Sequence, residues 1–258
     1  LTSDLIRRKY LRNDFFGGVY ALNYKQGRWE ASLGGAMNHY NGRHFGTLVS
    51  VINPTVTNYP DTEYYRNKAE KDENSFYGKL NYEVGKGLNA YVDLQYRHIN
   101  YRIQNPDDKY STAQTEGWRY DEHYNFFNPK AGLFWQINPN HALYGSWAIS
   151  HREPVRNDFE GNPDPKPRAE RMNDWELGYK YQSETFSGGV NFYHMTYKDQ
   201  FVLTGEINAT GEIIHQNVGN SYRQGIELQG AWKPIDWFRW DANATFSRNR
   251  AKDWTVKS

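Results

Sequence analysis

Residues 127–150, FNPKAGLFWQINPNHALYGSWAIS, hold two alternating apolar and polar segments that meet at Asn138-Pro139-Asn140. Asn and Pro supply the backbone angles a tight reversal needs, so the stretch is predicted to be a hairpin with arms Lys130 to Ile137 and His141 to Ser150. Each arm holds roughly ten residues, the number a tilted strand needs to cross the apolar core of a bilayer; soluble strands centre on about five or six. In the first arm Ala131, Leu133, Trp135 and Ile137 share one face, and Lys130, Gly132, Phe134 and Gln136 the other. That alternation describes a wall with one greasy and one wetter side. The return arm is less clean, with Leu143, Trp147 and Ile149 on one face and Tyr144, Ser146 and Ser150 on the other.

Composition fits long wet loops joined to ring-rich strands. Aromatics are 17% of the 258 residues, including 21 Tyr and 9 Trp, yet hydrophobics total only 38% and mean hydropathy is −0.95. No run of about 18 apolar residues occurs, which excludes a spanning helix but not a barrel, where only every second residue meets lipid. The formal net charge of +1, from 31 basic and 30 acidic residues, recommends neither nucleic acid nor an acidic surface. Zero cysteines exclude a disulfide scaffold and cysteine-liganded zinc. Leu1-Thr2-Ser3 is neither an initiator Met nor a signal peptide, so the chain is expected to be a piece of a longer one.

The same period-two pattern recurs along the chain. Phe16, Gly18, Tyr20, Leu22 and Tyr24 line one face, Gln26-Gly27 turns, and Trp29, Ala31, Leu33, Gly35 and Met37 return. Phe76 to Val84 and Leu88 to Tyr96 make another pair around residues 85–87, with Asn89, Asp93, Gln95 and Arg97 opposite. Later pairs run Trp175 to Tyr181 with Phe186 to Phe192, and Ile226 to Trp232 with Phe238 to Phe246. Phe201 to Ile207 and Glu212 to Val218, joined by Asn208 to Gly211, are expected as a separate hairpin inside a loop. The connections alternate: short at 26–27, 85–87, 138–140, 183–184 and 233–236, long at 42–72, 104–125, 152–171 and 199–222. Short turns on one rim and long loops on the other describe an outer-membrane barrel rather than a sandwich. Tyr24, Trp29, Tyr82, Trp135, Tyr181, Phe186, Trp232 and Trp237 flank the short turns, as an interfacial aromatic girdle would.

With strands and loops so placed, the sequence resembles the barrel of TonB-dependent outer-membrane receptors, in a style seen among Bacteroidetes. The resemblance is carried by FNPKAGLFWQINPNHALYGSWAISHREP, PKPRAERMNDWELGYKYQ, FSGGVNFYHMTYKDQFV, NSYRQGIELQGAWKP and RRKYLRNDFFGGVYALNY. It implies an all-β, antiparallel up-and-down meander of about ten long strands, part of a 22-stranded transmembrane β-barrel of roughly the width such plugged transporters need. Residues 1–258 are expected to be one barrel segment, with the plug domain, the TonB box and the C-terminal strands absent.

The resemblance further implies a wall and external loops for active uptake of a scarce nutrient (iron chelate, haem, cobalamin or glycan) across the bacterial outer membrane. Partners would be outer-membrane lipid, the plug of the same parent chain, TonB through that plug, and the nutrient. No enzyme activity, cofactor, metal or nucleic acid is implied. Capture is expected in the loops: Tyr59, Tyr64 and Tyr65 in the first, Trp118, Tyr120, His123 and Tyr124 in the second, Arg152, Arg156 and Arg168 in the third. Ring faces and guanidinium forks suit planar chelates, sugars and anionic siderophores, and the alternative for each residue is loop packing.

Catalytic readings find little. His39 with His44, and His141 with His151, fall outside the His-Glu-x-x-His spacing, and neither Gly-x-Ser-x-Gly nor a phosphate loop occurs. Asp107-Asp108 and the acidic run at 61–73 lack EF-hand spacing. Two rival readings remain: a complete smaller outer-membrane barrel acting as channel or hydrolase, whose first and last strands would pair, and a soluble carbohydrate-binding β-protein with rings clustered in a groove.

Overall fold

The computed structural model describes residues 5–51, 62–105, 117–161, 166–207 and 213–252. Tyr59, Asp107, Asp108 and the Asn208–Gly211 turn lie outside the described residues. Ten strands run in order: β1 (Leu5–Gln26), β2 (Trp29–Val51), β3 (Thr62–Gly85), β4 (Leu88–Asn105), β5 (Trp118–Asn138), β6 (His141–Arg152), β7 (Glu170–Gln182), β8 (Phe186–Ile207), β9 (Ile213–Ile235) and β10 (Phe238–Ala251). One short helix, α1 (Arg156–Gly161), stands between β6 and β7. The strands form a single antiparallel sheet in sequence order, and β1 and β10 are its edges. The pairing of first and last strands that a small self-closed barrel requires is not made among the described residues.

The expected short turns are all present, each with local chemistry that explains it. Gly85, Lys86 and Gly87 take positive φ between β3 and β4, which Gly adopts without steric cost. A side chain at Gly87 would run into the Gln136 carbonyl, whose own N–H donates to the Gly87 carbonyl at 2.8 Å. Between β5 and β6 the Asn138 side-chain oxygen accepts from the N–H groups of Asn140 and His141, at 3.0 and 3.1 Å. That closes an Asx turn around Pro139.

On the long-loop side the strands outrun the prediction. β2 and β3 stay paired from Trp29↔Tyr82 up to Leu48↔Thr62, and β4 and β5 up to Asn105↔Trp118. Most of the segment expected as loop at 42–72, and both ends of the one at 104–125, are therefore strand. The supposed separate hairpin from Phe201 is likewise the far end of β8 and β9, paired Gln200↔Val218 through Leu203↔His215. The pattern breaks because the strand leaves the apolar layer, while the backbone ladder continues into water.

β5 shows how the two faces are built. Phe127, Ala131, Leu133, Trp135 and Ile137 point to one side, and Phe126, Asn128, Lys130, Gly132 and Phe134 to the other. Their neighbours on the first side include Tyr96, Leu94 and Val92 of β4 and Leu143 and Trp147 of β6. Leu22, Leu33, Leu133 and Leu177 on this face are 70%, 61%, 54% and 61% exposed. An apolar surface this broad belongs against lipid rather than water, which disposes of the soluble reading. The rings beside the short turns edge the same face, with Trp29 against Tyr82 at 4.2 Å and Tyr181 against Phe186 at 6.0 Å.

The opposite, inner face is packed differently. Tyr77, Tyr91, Tyr144 and Tyr193 each sit directly across from a glycine, in the pairs Gly34↔Tyr77, Tyr91↔Gly132, Tyr144↔Gly178 and Tyr193↔Gly225. Any Cβ at those glycines would collide with the facing ring. The tyrosines thus lie flat over glycine backbone, covering ladder that glycine alone would leave bare.

Candidate functional site at the loop end of the inner face

Beyond the apolar band the buried side switches. Leu88, Ala90, Val92, Leu94 and Tyr96 of β4 face lipid, but from Ile99 onward it is Ile99, Tyr101 and Ile103 that are buried, on the inner face. β5 does the same, with Phe127 to Ile137 outward and Trp118, Tyr120, Tyr124 and Phe126 inward. What fills the inner face is the β6–β7 connection. Phe159 of α1 is fully buried and meets Tyr120 at 4.9 Å and Tyr101 at 6.0 Å, in one cluster with Ala69, Ile99, Ile103 and Phe126. Tyr40, Trp118 and Tyr124 are half-buried around it.

Four charges tie the connection to the wall. Glu153 Oε1 accepts from Lys71 Nζ at 2.5 Å and from Arg97 Nη2 at 3.3 Å, and Arg97 Nε donates to Glu73 at 2.7 Å. All four side chains are mostly buried. Burial opposes ionisation of Glu153, but the Lys71 hydrogen bond and the two cations outweigh it and hold the carboxyl below the usual range. Arg97 also lies over the Phe126 ring, which stacks on His151 with its plane tilted by only 4°.

Asp158 has a side chain with no exposure; its Oδ2 accepts from the Val155 N–H at 2.8 Å. Arg152 Nη2 is 3.9 Å from Asp158 Oδ2, and His215 Nδ1 is 3.4 Å from Oδ1. Burial pushes this carboxyl up, with the Val155 N–H, Arg152 and His215 only partly offsetting it.

The described capture residues fall in four places. Trp118, Tyr120, Tyr124, Arg152 and Arg156 converge around α1; Arg156 Nη2 reaches the Gly42 carbonyl at 3.4 Å, and Arg152 lies over Phe201 at 5.3 Å. Tyr64 and Tyr65 contact each other further up, at 5.0 Å, with Arg7 over the Tyr64 ring. Arg168 stands apart, donating to Asp199 at 2.6 Å. His123 is on the opposite side of β5 from Tyr120 and Tyr124, against Asn100 at 2.6 Å. Lys71, Glu73, Glu153 and Phe159 are not among the residues the sequence singles out, because 42–72 and 152–171 read mostly as loop, and Arg97 reads only as the polar face of its strand. The change of parity at Ile99-Tyr101-Ile103 is the signal that marks them. Among the described residues no three His, Asp or Glu side chains group as a metal site.

The comparisons agree with this architecture. A family model described as TonB dependent receptor-like, β-barrel, matches residues 2–257. Among solved structures, the copper transporter OprC superposes with a TM-score of 0.76 at 12% identity, over 96% of this chain and 39% of that one. The ferric yersiniabactin uptake receptor FyuA from Yersinia pestis gives 0.69 at 13%, over 96% and 37%. The siderophore receptor PiuA from Acinetobacter baumannii gives 0.67 at 15%, over 94% and 39%. These likenesses are of fold, and the chain spans about two-fifths of each of those structures, as the 39% and 37% coverages show. No curated protein sequence matches. The chain belongs to the TonB-dependent receptor β-barrel family, whose members are outer-membrane transporters and receptors, and its ten strands are wall of that barrel.

Proposed function

We propose that this wall belongs to a receptor that captures a scarce nutrient at the cell surface and passes it across the outer membrane, driven through TonB. The supporting observation is the gathering of rings and guanidinium groups about α1 at the long-loop end of the inner face: Trp118, Tyr120 and Tyr124 pack against the Phe159 cluster, Arg156 belongs to α1 and reaches the Gly42 carbonyl, and Arg152 lies 3.9 Å from Asp158. Partly exposed rings beside fixed cations suit a planar or anionic metal chelate. The names of the structural neighbours, for copper, ferric yersiniabactin and siderophore uptake, favour such a chelate over a glycan or cobalamin. The unpaired edges of β1 and β10 are supplied, in this reading, by further strands of a longer parent chain, which also carries the plug and the TonB box. Tyr64, Tyr65 and Arg168, further from α1, remain capture candidates, as does Tyr59, which lies outside the described residues.

The test is binding of ferric siderophores, haem and copper to the full-length receptor, read by fluorescence quenching. Trp118→Ala with Tyr120→Ala is expected to weaken the bound member of that panel by about ten-fold or more. His123→Ala, on the other face, leaves it unchanged. Equal affinity in all three proteins overturns the assignment.

A further inference from the structure

Above the apolar band the wall opens between β5 and β6. Their last paired residues are Lys130↔Ala148, yet β5 runs on along β4 to Asn105↔Trp118, and β6 stays with β7 to Arg152↔Glu170. Pro129 stands where the ladder stops. The Gln136 N–H donates to the Gly87 carbonyl, so even residues of β5 turn their backbone groups toward β4 and odd ones toward β6. The register along β4 has no shift, which makes Pro129 an odd residue with no N–H to give β6. Beyond it, the N–H and C=O groups of Arg119, Asp121, His123 and Asn125 face the gap. Among the described residues no backbone group meets them.

The gap has a floor and a lined inner side. His151 fills its foot, with Nδ1 2.9 Å from Asn128 Oδ1 and its ring stacked on Phe126 at 5.1 Å. On the inner side Lys166 Nζ meets Glu122 Oε1 at 2.6 Å, and Ala169 packs against the Phe159 cluster. On the outer side Arg119, Asp121, His123 and Asn125 are exposed. The chain's own next segment is unsuited to the gap, because Pro154, Pro163, Pro165 and Pro167 bring no N–H to a ladder. Phe127 is the last lipid-facing ring of β5, so the open edge stands in water outside the membrane. Free ladder groups of this kind are a template for one more strand.

We propose that the β5 edge from Arg119 to Asn125 docks an extended segment of a partner protein at the cell surface, as an added strand. Seven residues give about 20 Å of ladder, room for a strand of ordinary length. The added strand runs antiparallel to β5, as β6 does lower down. Its outward side chains lie beside Asp121, His123 and Asn125 and are polar. Its inward ones lie beside Tyr124 and Phe126 and are apolar. The partner's segment is therefore free of proline and alternates apolar with polar residues.

The test uses the full-length receptor in detergent micelles and a fluorescent octapeptide of alternating valine and threonine. A second peptide of the same sequence is N-methylated at alternate residues, which removes the N–H groups of one edge. The first is expected to bind about ten-fold or more tightly than the second, and to slow hydrogen exchange in residues 119–126. Asn125→Pro removes one N–H facing the gap, leaves the β4 ladder whole, and should lose that preference. Asn125→Ala, which removes only the side chain that accepts from the Tyr96 hydroxyl, should keep it. Gel mobility before and after heating confirms that each variant is a folded barrel. Equal binding of the two peptides overturns the proposal, since it means attachment through side chains or the micelle. An unchanged Asn125→Pro, or equal loss in Asn125→Ala, overturns it too.

Discussion

Lys71 on β3 and Glu153 in the β6–β7 connection meet at 2.5 Å, Nζ to Oε1, across the breadth of two intervening strands. A connection that reaches that far back over the wall is an inward-folded segment, held by charge at one end and by Phe159 in the middle. Glu153→Gln is expected to weaken docking of residues 153–161 by about 1–3 kcal/mol, the worth of charge-assisted hydrogen bonds that are not fully buried. Hydrogen exchange of that segment in the full-length receptor reads the change. Lys71→Met should give a smaller added effect in the Glu153→Gln background than alone, because both act through one contact.

The same segment should respond to pH in two opposed ways. The Glu153 carboxyl is held low by Lys71 and Arg97 against its burial. Its contribution is complete above the ordinary carboxylate range and is lost as pH falls through its lower folded value. The Asp158 carboxyl is pushed up by burial. Its contribution is complete below the ordinary value and is lost as pH rises through its higher folded value. Docking is therefore expected to be tightest in mildly acidic buffer, by exchange rates corrected for their intrinsic pH dependence. Glu153→Gln flattens the acid arm and Asp158→Asn the other; unchanged arms refute the assignments.

Phe159→Ala removes the ring that Tyr101 and Tyr120 enclose. Phe-to-Ala changes in packed sites cost about 3–5 kcal/mol, more than a six-residue helix is able to retain. The segment is expected to undock while the barrel's unfolding midpoint in urea is unmoved, since every strand ladder is intact. A large fall in that midpoint would show α1 to be part of the wall's stability.

The wall was legible in the sequence because lipid enforces a strict rule. Leu133 and Trp135 must face out and Gly132 and Phe134 in, so the alternation and the short turns could be read residue by residue. Beyond Tyr96 and Phe127 that rule lapses, and strand ends such as Arg102 and Arg119 carry polar residues on a face that alternation no longer labels. Lys71 and Glu153 lie 82 residues apart and share no local motif, so their pairing emerges only from the strand register. Trp118 and Tyr120, picked out by residue type, fall on the inner face of β5 and His123 on the other, a division invisible while the segment reads as loop, because a loop has no faces and a strand does.

Gly178 lies under the Tyr144 ring, which would strike a side chain there. Gly178→Val is expected to destabilise the barrel by about 1–3 kcal/mol in urea titrations, as forced repacking does. In a Tyr144→Ala background the same change should cost little or become favourable, because the ring no longer occupies the space and valine suits a strand. An undiminished penalty would mean that backbone, and not the ring, excludes the side chain.

The central claim is the switch of the apolar side along β5, from lipid-facing below Phe127 to inward-facing above it. Spin labels placed singly along residues 119–137 of the full-length receptor in membranes test it, by comparing accessibility to oxygen with accessibility to a water-soluble nickel complex. Odd positions from 127 to 137 should favour oxygen, odd positions from 119 to 125 the nickel complex, and 120, 124 and 126 neither. Oxygen preference continuing outward through 119–125, or appearing at the even positions, would contradict the account.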